Sequence, residues 1–267
     1  MENFIYHRPA KVADAVKAMK KAKDGKFMSG GHTLIPTIKQ GLAEPTDVID
    51  LSGLNNTGVK IGPKSVVIQA GTTHAEVAAN KDLRKAIPGL ATLAGGIGDP
   101  HVRHKGTIGG SIANNDPAAD YPAAVLALNA TVNTNKRAIK ADEFFTGLFS
   151  TALQDGEIIT SVSFPVPSRA GYSKMRHPAS RFALTGVFVA RGRTGDVRVA
   201  ATGASQNGVM RVPAIEAALK ANFASAALDN VTVSADGMLS DIHGSAAYRA
   251  NLVKVMAQRA VDAAGAG

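Results

Sequence analysis

The chain has 267 residues, 45% of them hydrophobic, with a formal net charge of +9 and neither cysteine nor tryptophan. That length can bury a real core and suits a main domain with a smaller partner domain, while the missing cysteines exclude disulfides, a cysteine nucleophile and iron–sulfur ligation by this chain. The basic residues are scattered and no aromatic platform accompanies them, which argues against nucleic acid and leaves a solvated basic surface or a basic face docking a partner subunit. Apolar stretches are too short or too interrupted to span a bilayer. Residues 1–10 lack a basic region followed by a long apolar core, so no secretory signal is expected and the cytoplasm is the default address.

In chain order, Val12, Ala15, Val16 and Met19 recur at helical spacing after Pro9. Lys26-Phe27-Met28 predicts a strand, Leu34, Ile35 and Ile38 a helix face, and Asp47–Leu51 a further strand, followed by a turn-rich break at 52–58. Val66–Ile68 predicts a strand, Thr73–Ala79 and Pro88–Ala94 helices, and Tyr121–Leu128 a buried helix. Val132, Ile139 and Ile158–Phe164 read as strands, and the prolines and glycine at 165–171 suggest a boundary near 166–170. Beyond it, strands are expected near 172–176, 182–190 and 197–202, with helices near 213–221 and 248–263. Grouped strands followed by helices favour an α+β class.

Two glycine loops carry the chemistry. The first is Ser29-Gly30-Gly31-His32-Thr33-Leu34-Ile35-Pro36, entered from Met28; the second is Thr107-Ile108-Gly109-Gly110-Ser111-Ile112-Ala113. Paired glycines let bare backbone N–H groups approach a phosphate, and a helix start adds donors. Two such loops, far apart in the chain, suggest a diphosphate gripped from both sides, as in a dinucleotide such as FAD. Thr33 can add a hydroxyl and cap the next helix, and Thr107 and Ser111 flank the second glycine pair in the same manner. Neither loop is Gly-x-Gly-x-x-Gly or ends in Gly-Lys-Ser/Thr, so a Rossmann fingerprint and a P-loop are unsupported. Each loop, taken alone, is also compatible with a tight turn. Asp120, just before the Tyr121–Leu128 helix, can accept hydrogen bonds from ribose hydroxyls or serve as a helix cap.

Gly95-Gly96-Ile97-Gly98-Asp99-Pro100, Val102-Arg103 and the run from Gly106 to Ala124 resemble the FAD-binding medium subunit of molybdenum hydroxylases, the family of aerobic carbon monoxide dehydrogenase and xanthine dehydrogenase. The resemblance includes the first loop and extends to Ser240-Asp241-Ile242-His243-Gly244 with Tyr248-Arg249, so it covers nearly the whole chain. It implies a two-part FAD-binding domain of the PCMH type over 1–167, with subdomains of about 1–56 and 57–167, and a smaller α+β C-terminal domain over 168–267 with an antiparallel sheet and helices. By position it assigns residues 28–35 and 107–111 to the pyrophosphate and ribityl atoms, Asp120 to ribose, Ile97 to the isoalloxazine, and Ile159 and Lys174 to further flavin contacts; Tyr172 is a candidate to shield the ring. The FAD is expected to be noncovalent. A large subunit is expected to carry the molybdenum cofactor and a small one two [2Fe–2S] clusters, in a dimer of heterotrimers. Electrons would enter from a cluster and leave to an external acceptor. The flavin does the redox chemistry, so no catalytic side chain is nominated.

Other candidates are weaker. His32 after two glycines invites covalent flavin attachment, but loop packing is its ordinary role. His101 and His104 lack a third ligand and flank Arg103, which opposes a metal. His74 and Glu76 are expected at the surface or as caps, and no serine lies in Gly-x-Ser-x-Gly. The alternatives weighed are a self-contained flavin oxidase of the wider FAD-domain superfamily and a noncatalytic nucleotide-binding module.

Overall fold

In the computed structural model of the chain, residues 3–265 are described. The first stretch builds β1 (Ile5–His7), α1 (Val12–Lys21), β2 (Gly25–Met28), α2 (Leu34–Lys39) and β3 (Asp47–Asp50). These strands form a parallel sheet in the order β1-β3-β2, with Met28 opposite Asp50 at its end. Ala15 and Ile49 are buried where α1 covers the sheet, as the helical spacing from Val12 predicts.

The second stretch holds β4 (Val59–Ile61), β5 (Ser65–Gln69), α3 (His74–Ala79), α4 (Lys81–Ala86), α5 (Pro88–Gly95), α6 (Pro100–Lys105), α7 (Ile108–Asn114) and α8 (Tyr121–Ala127). It continues through β6 (Thr131–Thr134), β7 (Ala138–Lys140), α9 (Ala141–Phe144), β8 (Phe145–Gly147), β9 (Ser150–Thr151) and β10 (Ile159–Pro165). Five strands form an antiparallel sheet in the order β4-β5-β10-β6-β7. The largest core lies against it, with Leu90, Leu93, Ile108, Ile112, Tyr121 and Phe164 all fully buried.

The third stretch is β11 (Arg169–Arg176), β12 (Ala183–Arg191), β13 (Val197–Ser205), β14 (Gly208–Arg211), α10 (Pro213–Ala221) and α11 (Ala246–Gly265). Its four strands run antiparallel in chain order. Every residue of β12 from Ala183 to Ala190 is buried, because both faces of this sheet are covered. Alternation along the strands sends Tyr172, Phe188, Ala190 and Ala200 to the large core beside α8. Val187, Val189, Val199 and Ala201 face a second core with α10 and α11. The architecture is α+β, as expected.

Several short elements escape the sequence reading: β1, β4, α4, α6, α9, the β8–β9 pair and β14. The break at 52–58 begins with one 3₁₀ turn over Leu51–Leu54, started by the Asp50 carboxylate accepting from the Ser52 N–H at 2.8 Å.

Candidate functional site

The two glycine loops meet. β2 delivers the first to the sheet end, where Gly31 turns back at φ +73°. A Cβ at Gly31 would stand 2.6 Å from Ile35 Cδ1, so the turn folds onto Ile35. From the other side, the α6–α7 connection brings up the second loop. Ser29 Oγ and Thr107 Oγ1 share a hydrogen bond of 2.8 Å across the junction. A Cβ on Gly30 would lie 2.1 Å from the Lys105 carbonyl oxygen, so only a bare α-carbon permits this approach.

The loops differ in what they offer. In the first, the N–H groups of Gly30, Gly31, His32, Thr33 and Leu34 donate to no protein group among the described residues. In the second, the Ile108 N–H donates to the Thr72 carbonyl at 3.1 Å and the Gly109 N–H to the Ala70 carbonyl at 2.9 Å. The Gly110 N–H reaches Thr107 Oγ1 at 3.1 Å, and Ser111 N–H closes the first helical turn onto Thr107 at 3.0 Å. The expectation that both loops present bare donors therefore holds for the first and fails for the second. Gly109 serves close packing instead, since its Cβ would fall 2.7 Å from Ala70 Cβ. Thr107 is the true helix cap. Thr33 occupies the cap position of α2 without a capping bond, and its carbonyl accepts from Thr37 Oγ1 at 2.7 Å.

Behind the junction lies His74, expected from the sequence at the surface or as a cap. It is 4% exposed. Its backbone N–H donates to the Gly106 carbonyl at 2.9 Å, and Nε2 would be 2.5 Å from a Cβ on Gly106. Burial, reinforced by the positive potential of His32 and Arg103, pushes its pKa down to about 4. Its ring packs 5.3 Å from that of Tyr121 between centroids, and His74 Nδ1 and Tyr121 Oη are both buried without a partner. Glu76 does cap: Thr73 and Glu76 form a reciprocal capping box at the start of α3.

Asp120, Tyr172 and Lys174, drawn from segments more than 50 residues apart, converge in one buried cluster. Asp120 accepts from the Tyr172 hydroxyl and pairs with Lys174 Nζ at 2.9 Å, and both charged side chains are nearly inaccessible. Burial drives the Asp120 carboxyl upward against the pull of Lys174, and burial beside Asp120 raises the Tyr172 phenol well above its usual range. Asp120 stands at the cap position of α8 without capping it. Tyr172 lies against Phe188 and Gly186 rather than open to a ring it would cover. The Thr202 hydroxyl donates to the Pro117 and Ala119 carbonyls at 2.9 and 2.7 Å, pinning the approach to Asp120 onto β13.

Ile97 is half-buried beside the main core, and its carbonyl accepts from Arg103 at 3.0 Å. Ile159 opens β10 at a register shift, with its side chain in the core. Met28, Leu34, Ile35 and Ser111 flank the junction at intermediate or greater exposure. His104 Nδ1 contacts the Pro100 carbonyl at 2.7 Å within its own helix, and no metal-binding group of three ligands occurs among the described residues.

The chain is similar to known proteins over nearly its whole length. The family described as "FAD binding domain in molybdopterin dehydrogenase" matches residues 2–167. The nicotine 6-hydroxylase medium subunit of Paenarthrobacter nicotinovorans is 34% identical over 98% of this chain and 97% of its own length. The carbon monoxide dehydrogenase medium chain of Afipia carboxidovorans is 33% identical over 98% and 96%. In the solved structure of reconstituted CO dehydrogenase from Oligotropha carboxidovorans, a chain 30% identical superposes with a TM-score of 0.89 over 99% of this chain and 98% of that one.

Proposed function

The chain belongs to the FAD-binding family of molybdopterin dehydrogenases, and from that premise we propose that it is the flavin-bearing electron-transfer subunit of a molybdenum hydroxylase complex. In this reading 1–167 is the FAD-binding part and 168–267 the C-terminal domain. The carrying observation is the Ser29–Thr107 hydrogen bond of 2.8 Å, which sets five N–H groups, unpaired among the described residues, beside a loop whose own donors are already spent.

The residues fit a dinucleotide diphosphate. Unpaired N–H groups from Gly30 to Leu34 are the donors an anion needs, and Gly30 and Gly31 keep side chains out of its approach. Arg103, held by the Ile97 and Gly98 carbonyls at 3.0 Å, is the cation assigned to this end of the molecule. The second loop contributes shape: Thr107 holds its own helix start while tethering Ser29. Asp120 is assigned to ribose and Lys174 to the flavin, with Ile97 beside the ring. The buried ion pair then fixes the carboxylate's position before any ligand arrives. Bound noncovalently, FAD supplies the exchange between one-electron and two-electron carriers; the protein's share is to hold and electronically tune it.

A small [2Fe–2S] subunit would supply electrons and a large subunit would hold the molybdenum cofactor and the organic substrate, in a dimer of heterotrimers located in the cytoplasm. No helix among the described residues is long and apolar enough to cross a membrane. Purification of the tagged chain with its co-expressed partners tests the reading. The expected result is a yellow complex that releases intact FAD on denaturation, contains iron and molybdenum, and bleaches when the complex's reducing substrate is added. A chain that refuses added FAD ends the proposal, and a flavin chain that turns over a substrate without partners points to a self-contained oxidase.

A further inference from the structure

Far from the glycine loops in the chain, a cleft of about 750 Å³ opens beside the 166–170 segment. The β4–β5 turn and α4 form one side, and Arg169, Arg193 and the last turn of α11 the other. Its charge is lopsided. Arg169 and Arg191 face each other directly across the β11–β12 ladder, a like-charge pairing that opposes sheet stability. Both guanidinium groups lie 5.9 Å from the centroid of the Phe223 ring, which holds them together. None of Arg169, Arg191 and Arg193 has a carboxylate within 4.0 Å or a hydrogen-bonding partner for its guanidinium among the described residues. Lys85 stands on the far wall, so Arg169, Arg193 and Lys85 line the cleft and Arg191 flanks it as the ladder partner of Arg169. The neighbouring acids are few: Asp82 sits 3.9 Å from Lys85, Asp196 accepts from Thr194 at 2.6 Å, and Asp262 lies on the adjoining face of α11.

Beyond the Phe223 contact, Arg169, Arg191 and Arg193 have no carboxylate partner among the described residues to offset their mutual repulsion. We propose that this arginine-edged cleft is the docking surface for an acidic segment of a partner polypeptide in the assembled complex. The inference rests on the subunit reading above and extends it to a place on the surface. A small anionic metabolite is disfavoured because the cleft's charged groups are exposed at its rim. None of the buried polar atoms left without a partner among the described residues, at His74, Tyr121 and Arg249, lines it. Exposed, weakly hydrated guanidinium groups suit the rim of a protein–protein contact, where they steer encounter and pair carboxylates in a bidentate manner.

The test uses the complex purified through this chain. Arg169→Glu/Arg193→Glu is compared with Lys17→Glu/Lys20→Glu, which makes the same change in net charge on the distant helix α1. The cleft variant should bind its iron–sulfur and molybdenum partners about tenfold more weakly or worse, with a flatter salt dependence and unchanged FAD content. The control should stay close to the wild type, and Arg169→Lys/Arg193→Lys should keep most of the affinity. Should the reversed pair fold poorly, Arg169→Gln/Arg193→Gln must show a smaller loss in the same direction. Wild-type affinity and salt slope in a folded cleft variant, or an equal loss in the control, overturns the proposal. FAD content is read separately, so a failure of the flavin assignment cannot be mistaken for a failure of this surface.

Discussion

The two glycine loops look alike in sequence and differ in kind. Each is a glycine pair between hydroxyl residues at the start of a short helix, ahead of α2 in the first and within the first turn of α7 in the second. Yet the first hangs from the end of a sheet with its N–H groups unspent, while the second is stitched to residues 70–72 before anything binds. The same letters thus encode a ligand seat in one place and a packed wall in the other. What separates them is the company they keep: the Ala70 and Thr72 carbonyls accept from the second loop, and among the described residues no carbonyl accepts from the Gly30–Leu34 N–H groups of the first.

Four substitutions, with a fifth as a baseline, sharpen that contrast, from the greatest effect to the least. Gly109→Val drives a side chain into the Ala70 backbone, so thermal or urea unfolding of the FAD-free protein should reveal a loss of about 3 kcal/mol or more, at the upper end of overpacking costs. An unfolding midpoint equal to the wild type would mean the second loop is as free as the first.

The second prediction concerns His74. Its folded pKa lies below its unfolded value, so the unfolded chain binds the additional proton as pH falls from about 6.5 toward 4. Stability is then fully present above that window and declines within it, by on the order of 2–3 kcal/mol for a shift of this size. Asp120, whose carboxyl is raised, works in the opposite sense above the ordinary carboxylate range. Subtracting the urea-unfolding profile of His74→Gln from that of the wild type isolates the histidine, and parallel profiles would refute its buried neutral state.

Gly110→Val comes third. Its Cβ would lie 3.0 Å from Thr107 Oγ1 and 3.6 Å from Ser29 Cβ, aimed into the junction rather than the core. Flavin retention should fall by roughly tenfold to a hundredfold, from about 1–3 kcal/mol of crowding, while the melting temperature of the FAD-free chain moves little. Equilibrium dialysis against FAD measures it; undiminished affinity in the folded variant would break the assigned role of the junction. Last is Ser29→Ala, which removes one neutral hydrogen bond and should weaken FAD binding by about 1 kcal/mol, near fivefold. Thr33→Ala provides its baseline, with an expected change within about 0.5 kcal/mol in chain stability because that hydroxyl does not cap.

Long periodic elements were legible in the sequence. The face from Val12, the buried run after Tyr121 and the three strands beyond residue 170 all stand where apolar spacing puts them, because burial dictated those patterns. Short edge elements were not. Strand β1 leaves Ile5 and Tyr6 more than half exposed, so no alternation marks it. Helix α6, Pro100-His-Val-Arg-His-Lys, has almost no apolar face; the readable signal was Asp99 before Pro100, and Asp99 Oδ1 does accept from the Val102 N–H at 2.9 Å. At the site, loop chemistry pointed to the glycines and the family resemblance to Asp120 and Lys174 separately, without their pairing. The burial of His74 and the spending of the second loop's donors were not legible, since both depend on what residues more than 30 positions away press against them.

The hydroxyl contact between Ser29 and Thr107 spans 78 positions of chain. Closing so long a loop carries an entropic cost of about 4 kcal/mol, recovered only once the intervening sheet and helices have formed. A nascent chain that has emerged no further than residue 100 therefore displays its whole first loop and still offers no seat. Cofactor capture becomes a late, post-assembly event that rewards finished molecules, so flavin supply would govern how many of them persist rather than how quickly they are made.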